Sequence, residues 1–156
     1  MTIREATLDD APTLLALMVA AFAEYEGVLD PPSGAHGETI ATVVKKLSLG
    51  GGALALVDGE PAGFAFYEPD GDLLYFGRLS VLPGFRNRGV GRALLDYVEQ
   101  RARRNGAAGV SLGVRLQLPH LVERYERLGY RITEYMTHNG YEKPTYVYME
   151  KRFPRH

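Results

Sequence analysis

Seven consecutive residues, Arg86-Asn87-Arg88-Gly89-Val90-Gly91-Arg92, carry the residue types and spacing that most directly suggest chemistry. They follow an apolar run, Leu73 to Val81, and open an amphipathic run that starts at Val90. A glycine-rich turn between a strand and a helix leaves backbone N–H groups free at the positive end of the helix dipole, which suits a phosphate or pyrophosphate. Arg86, Arg88 and Arg92 add guanidinium forks that pair well with phosphate oxygens. Two common phosphate motifs fail on spacing. A dinucleotide fingerprint needs a small residue where Leu94 stands, and a carboxylate about 20 positions on, where Val110, Ser111 and Leu112 lie. A P-loop needs Gly-Lys followed by Ser or Thr, whereas Gly91 precedes Arg92 and Ala93. The turn is therefore expected to hold a phosphate-bearing group of another kind.

The elements that position this turn can be read on either side of it. Ile3 to Ala6 is expected to be a short strand. Asp9 or Asp10 can cap a helix with Pro12 in its first turn, and Leu14, Leu15, Leu17, Met18, Ala21 and Phe22 recur at helical spacing. Gly27 to Gly37, with Pro31 and Pro32, reads as a loop, and Glu38 to Leu49 as a second helix ended by three glycines. Asp58-Gly59 and Asp70-Gly71 separate three apolar runs, Ala53–Val57, Pro61–Glu68 and Leu73–Val81. That pattern predicts an antiparallel meander. After the glycine turn, Val90, Ala93, Leu94, Tyr97, Val98 and Arg101 line one helix face, with Gly106 past its end. Ala108 to Val114 is a strand, and Pro119 to Leu128 a short helix capped at Gly129. Tyr130 to Tyr135 and Thr145 to Glu150 form a closing hairpin.

Composition excludes several functions. A chain of 156 residues with 46% hydrophobic and 24% charged residues is expected to be one globular domain, 1–156. Net charge is −1, so no basic field advertises nucleic acid. There is no cysteine, hence no disulfide, thiolate metal site or cysteine nucleophile. Met1 to Glu5 lacks the apolar core of a signal peptide, and no apolar run reaches a membrane span, so a cytoplasmic protein away from the membrane is expected. His36, His120, His138 and His156 show no metal-ligand spacing, and no metal is expected. Ser80 and Ser111 lack a Gly-x-Ser-x-Gly elbow, which argues against a hydrolase triad.

Arg86, Gly89 and Gly91 fit Arg/Gln-x-x-Gly-x-Gly/Ala, and the segment resembles the acetyl-coenzyme A signature of the GCN5-related N-acetyltransferase (GNAT) superfamily. The lead-in Leu79 to Phe85 resembles the fourth strand of that family and the loop after it. Tyr125-Glu126-Arg127-Leu128-Gly129-Tyr130 resembles its closing Tyr-x-x-x-Gly-Phe/Tyr motif. The element order, β-α-α-β-β-β-α-β-α-β-β, is also that of the family. The resemblance implies an α/β (α+β) chain with a mixed, mostly antiparallel twisted sheet, the acyl-CoA N-acyltransferase fold. At Leu118 the chain departs from the Asn that the family often carries there to contact the cofactor.

The resemblance assigns roles. Backbone amides of Asn87, Arg88, Gly89, Val90, Gly91 and Arg92 would hold the pyrophosphate, with at least one of Arg86, Arg88 and Arg92 beside them. The exposed backbone of Leu79, Ser80 and Val81 would pair with the pantetheine arm as an added strand does. In the family that strand splays from the next at a bulge, and an N–H near Leu79 or Ser80 would face the oxyanion. Tyr125 would protonate the leaving thiolate; the bland alternative is a ring packed on its helix with the hydroxyl on a carbonyl. Some relatives place a basic Glu on the fourth strand, at a place that falls near Tyr75 here. No carboxylate lies between Leu73 and Val81, which leaves Glu24, Glu26, Glu68, Asp72 and Glu134 as other bases, each with a surface-charge alternative.

The expected function is acetyl transfer from acetyl-coenzyme A, as cosubstrate, to a primary amine by direct attack. The acceptor is a small molecule or a protein amine, and Glu24, Glu26 and Asp30 favour a small cationic amine. Glu24 and Tyr25 faintly resemble polyamine acetyltransferases, and His138 is a candidate for the acceptor pocket. The alternative is a non-catalytic acetyl-coenzyme A sensor. Tyr135, Tyr141, Tyr146 and Tyr148 could serve either a homodimer contact or a pocket wall.

Overall fold

The computed structural model describes residues 1–154; His156 lies outside them. Seven strands form one sheet in the order β1-β2-β3-β4-β5-β7-β6. β1 is Thr2–Glu5, β2 Gly51–Val57, β3 Glu60–Asp70, β4 Leu73–Val81, β5 Gly109–Arg115, β6 Arg131–Met136 and β7 Tyr146–Arg152. Only the β4–β5 junction is parallel. The helices are α1 (Ala11–Phe22), α2 (Ile40–Leu49), α3 (Val90–Arg104) and α4 (Pro119–Arg127). The expected element order and meander are present. Among the described residues no helix is long and apolar enough to cross a membrane.

Two apolar layers sandwich the sheet. Leu95, Val98 and Ala102 of α3 pack with Leu74, Phe76, Val110, Leu112, Val147 and Met149, and α4 adds Leu121, Val122 and Tyr125 at the edge of this cluster. Leu14, Leu17 and Met18 of α1 and Val43 and Leu47 of α2 cluster with Leu54, Phe64 and Phe66. Each large aliphatic side chain so buried contributes about 1.5–3 kcal/mol. Residues of β7 alternate accordingly: Val147 and Met149 are buried, while Tyr146, Tyr148 and Glu150 stand on the other face and are only partly covered.

The start of α1 differs from expectation. Asp10 sits at its N-cap without a side-chain cap bond. Its carboxylate instead accepts from Thr7 N at 2.7 Å, within a capping box on the preceding 3-10 turn, and pairs with Arg4 Nη1 at 2.8 Å. A helical turn placed directly ahead of α1 takes the cap one turn upstream. Thr39 caps α2 by accepting from Thr42 N, so that helix starts two residues later than Glu38. One buried carboxylate, Glu99 on α3, accepts from Tyr130 Oη at 2.8 Å and from Lys151 Nζ at 3.1 Å. It thereby fixes the end of α4 against α3 and β7, and the Tyr130 ring meets Tyr125 edge-on at 5.9 Å.

Candidate active site

The glycine turn is shaped by left-handed backbone. Asn87 has φ 63°, and Gly89, the N-cap of α3, has φ 80°. No turn or loop carbonyl among the described residues takes the N–H groups of Asn87 to Arg92, so the orphan donors of a helix start remain available. A Cβ at Gly91 would meet Leu79 Cδ2 at 3.6 Å and Val81 Cγ2 at 3.9 Å, ordinary contact, and one at Gly89 would meet nothing. Packing therefore does not demand glycine at 91, whereas the backbone conformation does at 89. A bare main-chain cradle of this kind fits a diphosphate.

The three arginines of the turn differ. Arg86 donates to Val81 O at 3.3 Å and Ala21 O at 3.0 Å and pairs with Glu24 at 2.6 Å. Its guanidinium thus ties the end of α1 to the loop after β4. Arg92 pairs with Asp96 at 3.2 Å, and Arg88 lies 5.5 Å over the Phe85 ring. Both are exposed beside the free amides.

Upstream of the turn, β4 carries a bulge. Phe64 is opposite Ser80 and Phe66 opposite Gly77, so Ala65 faces both Arg78 and Leu79. Arg78 has φ 53°, and Ser80 Oγ donates to the Arg78 carbonyl at 2.9 Å. On its other side β4 pairs with β5 only at Leu74–Val110 and Tyr75–Ser111. Beyond that point the strands part, because β5 stays in register with β7 along its whole length. The parting leaves the β4 main chain from Phe76 to Val81 without a partner strand on the β5 side.

Tyr75 stands at the last paired position before this gap, and Tyr125 packs on the cluster formed with α3. The Tyr75 hydroxyl reaches within 3.3 Å of where a Gly113 Cβ would stand on β5. Burial raises its pKa, with Arg78 opposing and Tyr146, Glu68 and Asp70 adding. Burial also pushes the Tyr125 phenol up to about 12, with Arg124 opposing and Tyr75 adding.

A cavity of about 310 Å³ opens beside Tyr75, lined also by Glu68, Asp70, Gly113, Tyr146 and Tyr148. Glu68 is the register partner of Tyr75 across β3–β4, which places the two side chains on one face. Asp70 accepts from Ser111 and Tyr148 hydroxyls. An adjoining cavity of about 330 Å³ holds Asp72, Glu134 and Glu150 with Arg152. The His138 ring lies 4.7 Å from that of Tyr146 at a tilt of 50°, and burial followed by the nearby Arg115 charge lowers its pKa. Tyr25 instead meets Phe22 edge-on at 5.9 Å, and Glu24 is paired with Arg86, so nothing among the described contacts joins these two to Tyr75. Three tyrosines of the terminal hairpin are used within the chain: Tyr146 and Tyr148 line the cavity, and Tyr141 donates to Asp30, whereas Tyr135 is exposed.

The loop between α1 and α2 is tied to the end of β5 and the residues after it. Arg115 Nη1 donates to Pro31 O at 2.5 Å and Nη2 to Pro32 O at 3.1 Å, while Asp30 N donates to Gln117 Oε1 at 3.0 Å. Among the described residues, no group of three or more His, Asp or Glu side chains could hold a metal ion.

Comparison with known proteins decides the family. Residues 19–130 match the acetyltransferase (GNAT) family. The chain belongs to that family. It is accordingly an acyltransferase. The fold is also that of an Escherichia coli ribosomal-protein-S18-alanine N-acetyltransferase, 22% identical with a TM-score of 0.76, covering 97% of this chain and 92% of that one. It is likewise similar to an aminoglycoside 6′-acetyltransferase type Ii, 23% identical with a TM-score of 0.78 over 99% of each chain. A Thermoplasma acidophilum PaiA N-acetyltransferase, solved in complex with coenzyme A, is 18% identical with a TM-score of 0.78, covering 97% and 98% of the two chains. No curated protein sequence gives a significant match.

Within this GNAT chain, sequence reasoning missed Arg78, Arg115 and Glu38. Nothing in a one-dimensional pattern marks an arginine as the left-handed residue of a bulge, since positive φ ordinarily announces itself through Gly, Asn or Asp. Leu118, the departure from the family's Asn, is the N-cap of α4 and offers no side-chain cap bond.

Proposed function

We propose that this acyltransferase, acting as one domain over residues 1–156, moves acetyl from acetyl-coenzyme A to a small cationic primary amine by direct attack in a ternary complex. The observation that carries the reading is the β4 main chain from Phe76 to Val81, bulged at the left-handed Arg78 and without a partner strand on the β5 side. Amides of Asn87 to Arg92 bind the diphosphate, with Arg88 and Arg92 beside it. Arg86 acts as the brace of that turn. Main chain from Leu79 to Val81 pairs with the pantetheine arm, and an N–H near Leu79 or Ser80 stabilises the oxyanion, a contribution of about 3 kcal/mol in a dry site.

Glu68, through water, first takes one proton from the ammonium; the neutral amine then forms the N–C bond, and the second nitrogen proton passes through water to replace the one that Tyr125 gives up. The C–S bond then breaks, and Tyr125 donates its proton toward the leaving sulfur. A thiolate leaves tolerably well, its conjugate acid having a pKa of about 8.5, so this assistance is a share of the rate and not all of it. Tyr75 orients the amine beside Glu68. The choice of a small cation is supported by the modest cavity and its carboxylates Glu68 and Asp70.

The test incubates the protein with acetyl-coenzyme A and a panel of amines, among them polyamines, aminoglycosides and alanine-initiated peptides, and measures released thiol. Turnover with a small polyamine or aminoglycoside is expected. Tight coenzyme A binding without turnover on any amine would favour the sensor reading, and absence of binding would overturn both.

A further inference from the structure

The left-handed residue of the β4 bulge is an arginine, and its side chain is anchored from a distant part of the chain. Arg78 Nε donates to Glu38 Oε2 at 3.1 Å. Glu38 lies in the segment that leads into α2, and its side chain is only 4% exposed. The same carboxylate accepts from Lys46 Nζ at 2.5 Å and Thr42 Oγ1 at 2.5 Å. Burial disfavours its charge, but the donors of Lys46, Thr42 and Arg78 outweigh that and hold its pKa below the ordinary value. The guanidinium also lies against the main chain at Gly34, where a Cβ would stand 2.5 Å from Arg78 Nη2. On the other side, Ser80 Oγ holds the Arg78 carbonyl. Arg78 is thus clamped at both its side chain and its carbonyl.

A non-glycine residue keeps a positive φ only where its surroundings over-determine it. Glycine would hold φ 53° unaided, so an arginine here makes the main-chain shape depend on what grips the guanidinium. The grip comes from the α1–α2 segment, which Arg115 and Gln117 also tie to the end of β5.

We propose that Glu38 is a positioning residue for acyl transfer: by gripping Arg78 it fixes the left-handed bulge that aims the Leu79 and Ser80 amides at the acyl oxygen. The proposal rests on the reading that β4 supplies the oxyanion donor. A purely structural Glu38 would tie α2 to the sheet and leave the chemical step alone. A positioning Glu38 acts through the conformation of residue 78, so its effect vanishes where that conformation needs no grip.

The experiment combines Glu38→Gln, Arg78→Gly, Arg78→Ala and the Glu38→Gln/Arg78→Gly pair, with Lys46→Met as the control that weakens the ion cluster alone. Glu38→Gln lowers kcat about 10- to 100-fold, as a misplaced donor does, while the Kd for coenzyme A shifts less than about twofold. In the Arg78→Gly background the same substitution lowers kcat less than about twofold, the signature of a shared route in a double-mutant cycle. Equal losses in the two backgrounds, or no loss in either, would overturn the proposal. Should Glu38→Gln fail to fold, Arg78→Gly against Arg78→Ala decides: glycine keeps the bulge and retains about tenfold more activity than alanine, and equal activity overturns it.

A second readout needs no cofactor or acceptor. The amide NMR signals of Leu79 and Ser80 in the ligand-free protein move in Glu38→Gln and stay in place in Lys46→Met. Unmoved signals in Glu38→Gln sink the link between Glu38 and the bulge even if the cofactor binds. Failure of the unaltered protein to bind coenzyme A sinks the proposed function instead.

Discussion

The two ends of the candidate cleft are built in different ways. At the glycine turn the site is main chain: Gly89 at φ 80° opens α3, and no turn or loop carbonyl among the described residues takes the amides of Asn87 to Arg92. At the acyl end it is side chains drawn from five elements. Tyr75 and Arg78 come from β4, Tyr125 from α4, Arg115 from β5, Tyr146 and Tyr148 from β7, and Glu38 from the approach to α2. A site made of local backbone depends on a few adjacent residues and holds a group common to many reactions. A site made of converging side chains can be altered one member at a time, which suits the part that selects an acceptor.

That contrast predicts which constant each substitution moves. The largest effect is expected at the acyl end. Tyr125→Phe keeps the ring against Tyr130 and removes the proton donor, so kcat falls about 100-fold, within the range of acid–base contributions, while calorimetry finds coenzyme A affinity unchanged. Next comes the opposite end. Gly89→Val forces a branched residue into left-handed backbone at a cost of about 1–2 kcal/mol; coenzyme A binding weakens about 10- to 30-fold, and kcat at saturation stays within a few fold. A reversal of these two outcomes would break the division.

Arg115→Met sharpens it. The carbonyls of Pro31 and Pro32 lose their donors, for about 1 kcal/mol and a thermal midpoint about 2–4 °C lower, with a raised KM for the acceptor and an unaltered Kd for coenzyme A. The pH profile gives a smaller signal. Because the Tyr125 phenol is lifted to about 12, its protonated form persists beyond its ordinary range, and kcat should climb with amine deprotonation without falling before about pH 10. A descending limb near about pH 8.5 would remove Tyr125 from the role of proton donor.

The smallest effect lies outside both ends. Arg4 holds the Asp10 carboxyl at about 2, below its ordinary 3.8. A depressed folded-state pKa stabilises above the ordinary value and ceases to do so as pH falls through the depressed one. Asp10→Asn should therefore flatten the acid unfolding curve between about pH 4 and pH 2 and leave Kd and kcat unchanged.

The same division explains what could be read from the sequence. Turn chemistry is local, so Asp58-Gly59 and Asp70-Gly71 disclosed the meander, and Arg86 to Arg92 disclosed the strand–turn–helix. Alternation in Tyr130 to Tyr135 and Thr145 to Glu150 disclosed the closing hairpin, and family resemblance added Tyr125 and Tyr75 as candidates. The grip of Glu38 on Arg78 spans 40 positions, and that of Arg115 on Pro31 spans 84; neither leaves a periodicity or a motif. Arg86 shows the reverse difficulty. Its place in the signature is plain, yet its guanidinium reaches Ala21 O, 65 positions upstream, which only packing reveals. Glu24 and Tyr25 likewise looked like acceptor residues by type, whereas their contacts tie them to Arg86 and Phe22.

The alternation along β7 separates two evolutionary pressures. Val147 and Met149 answer to folding, while Tyr146 and Tyr148, one residue away, border the hollow and reach His138 and Asp70. Substitution at Tyr146 or Tyr148 reshapes the wall of that hollow, while Val147 and Met149 keep the interior as it is.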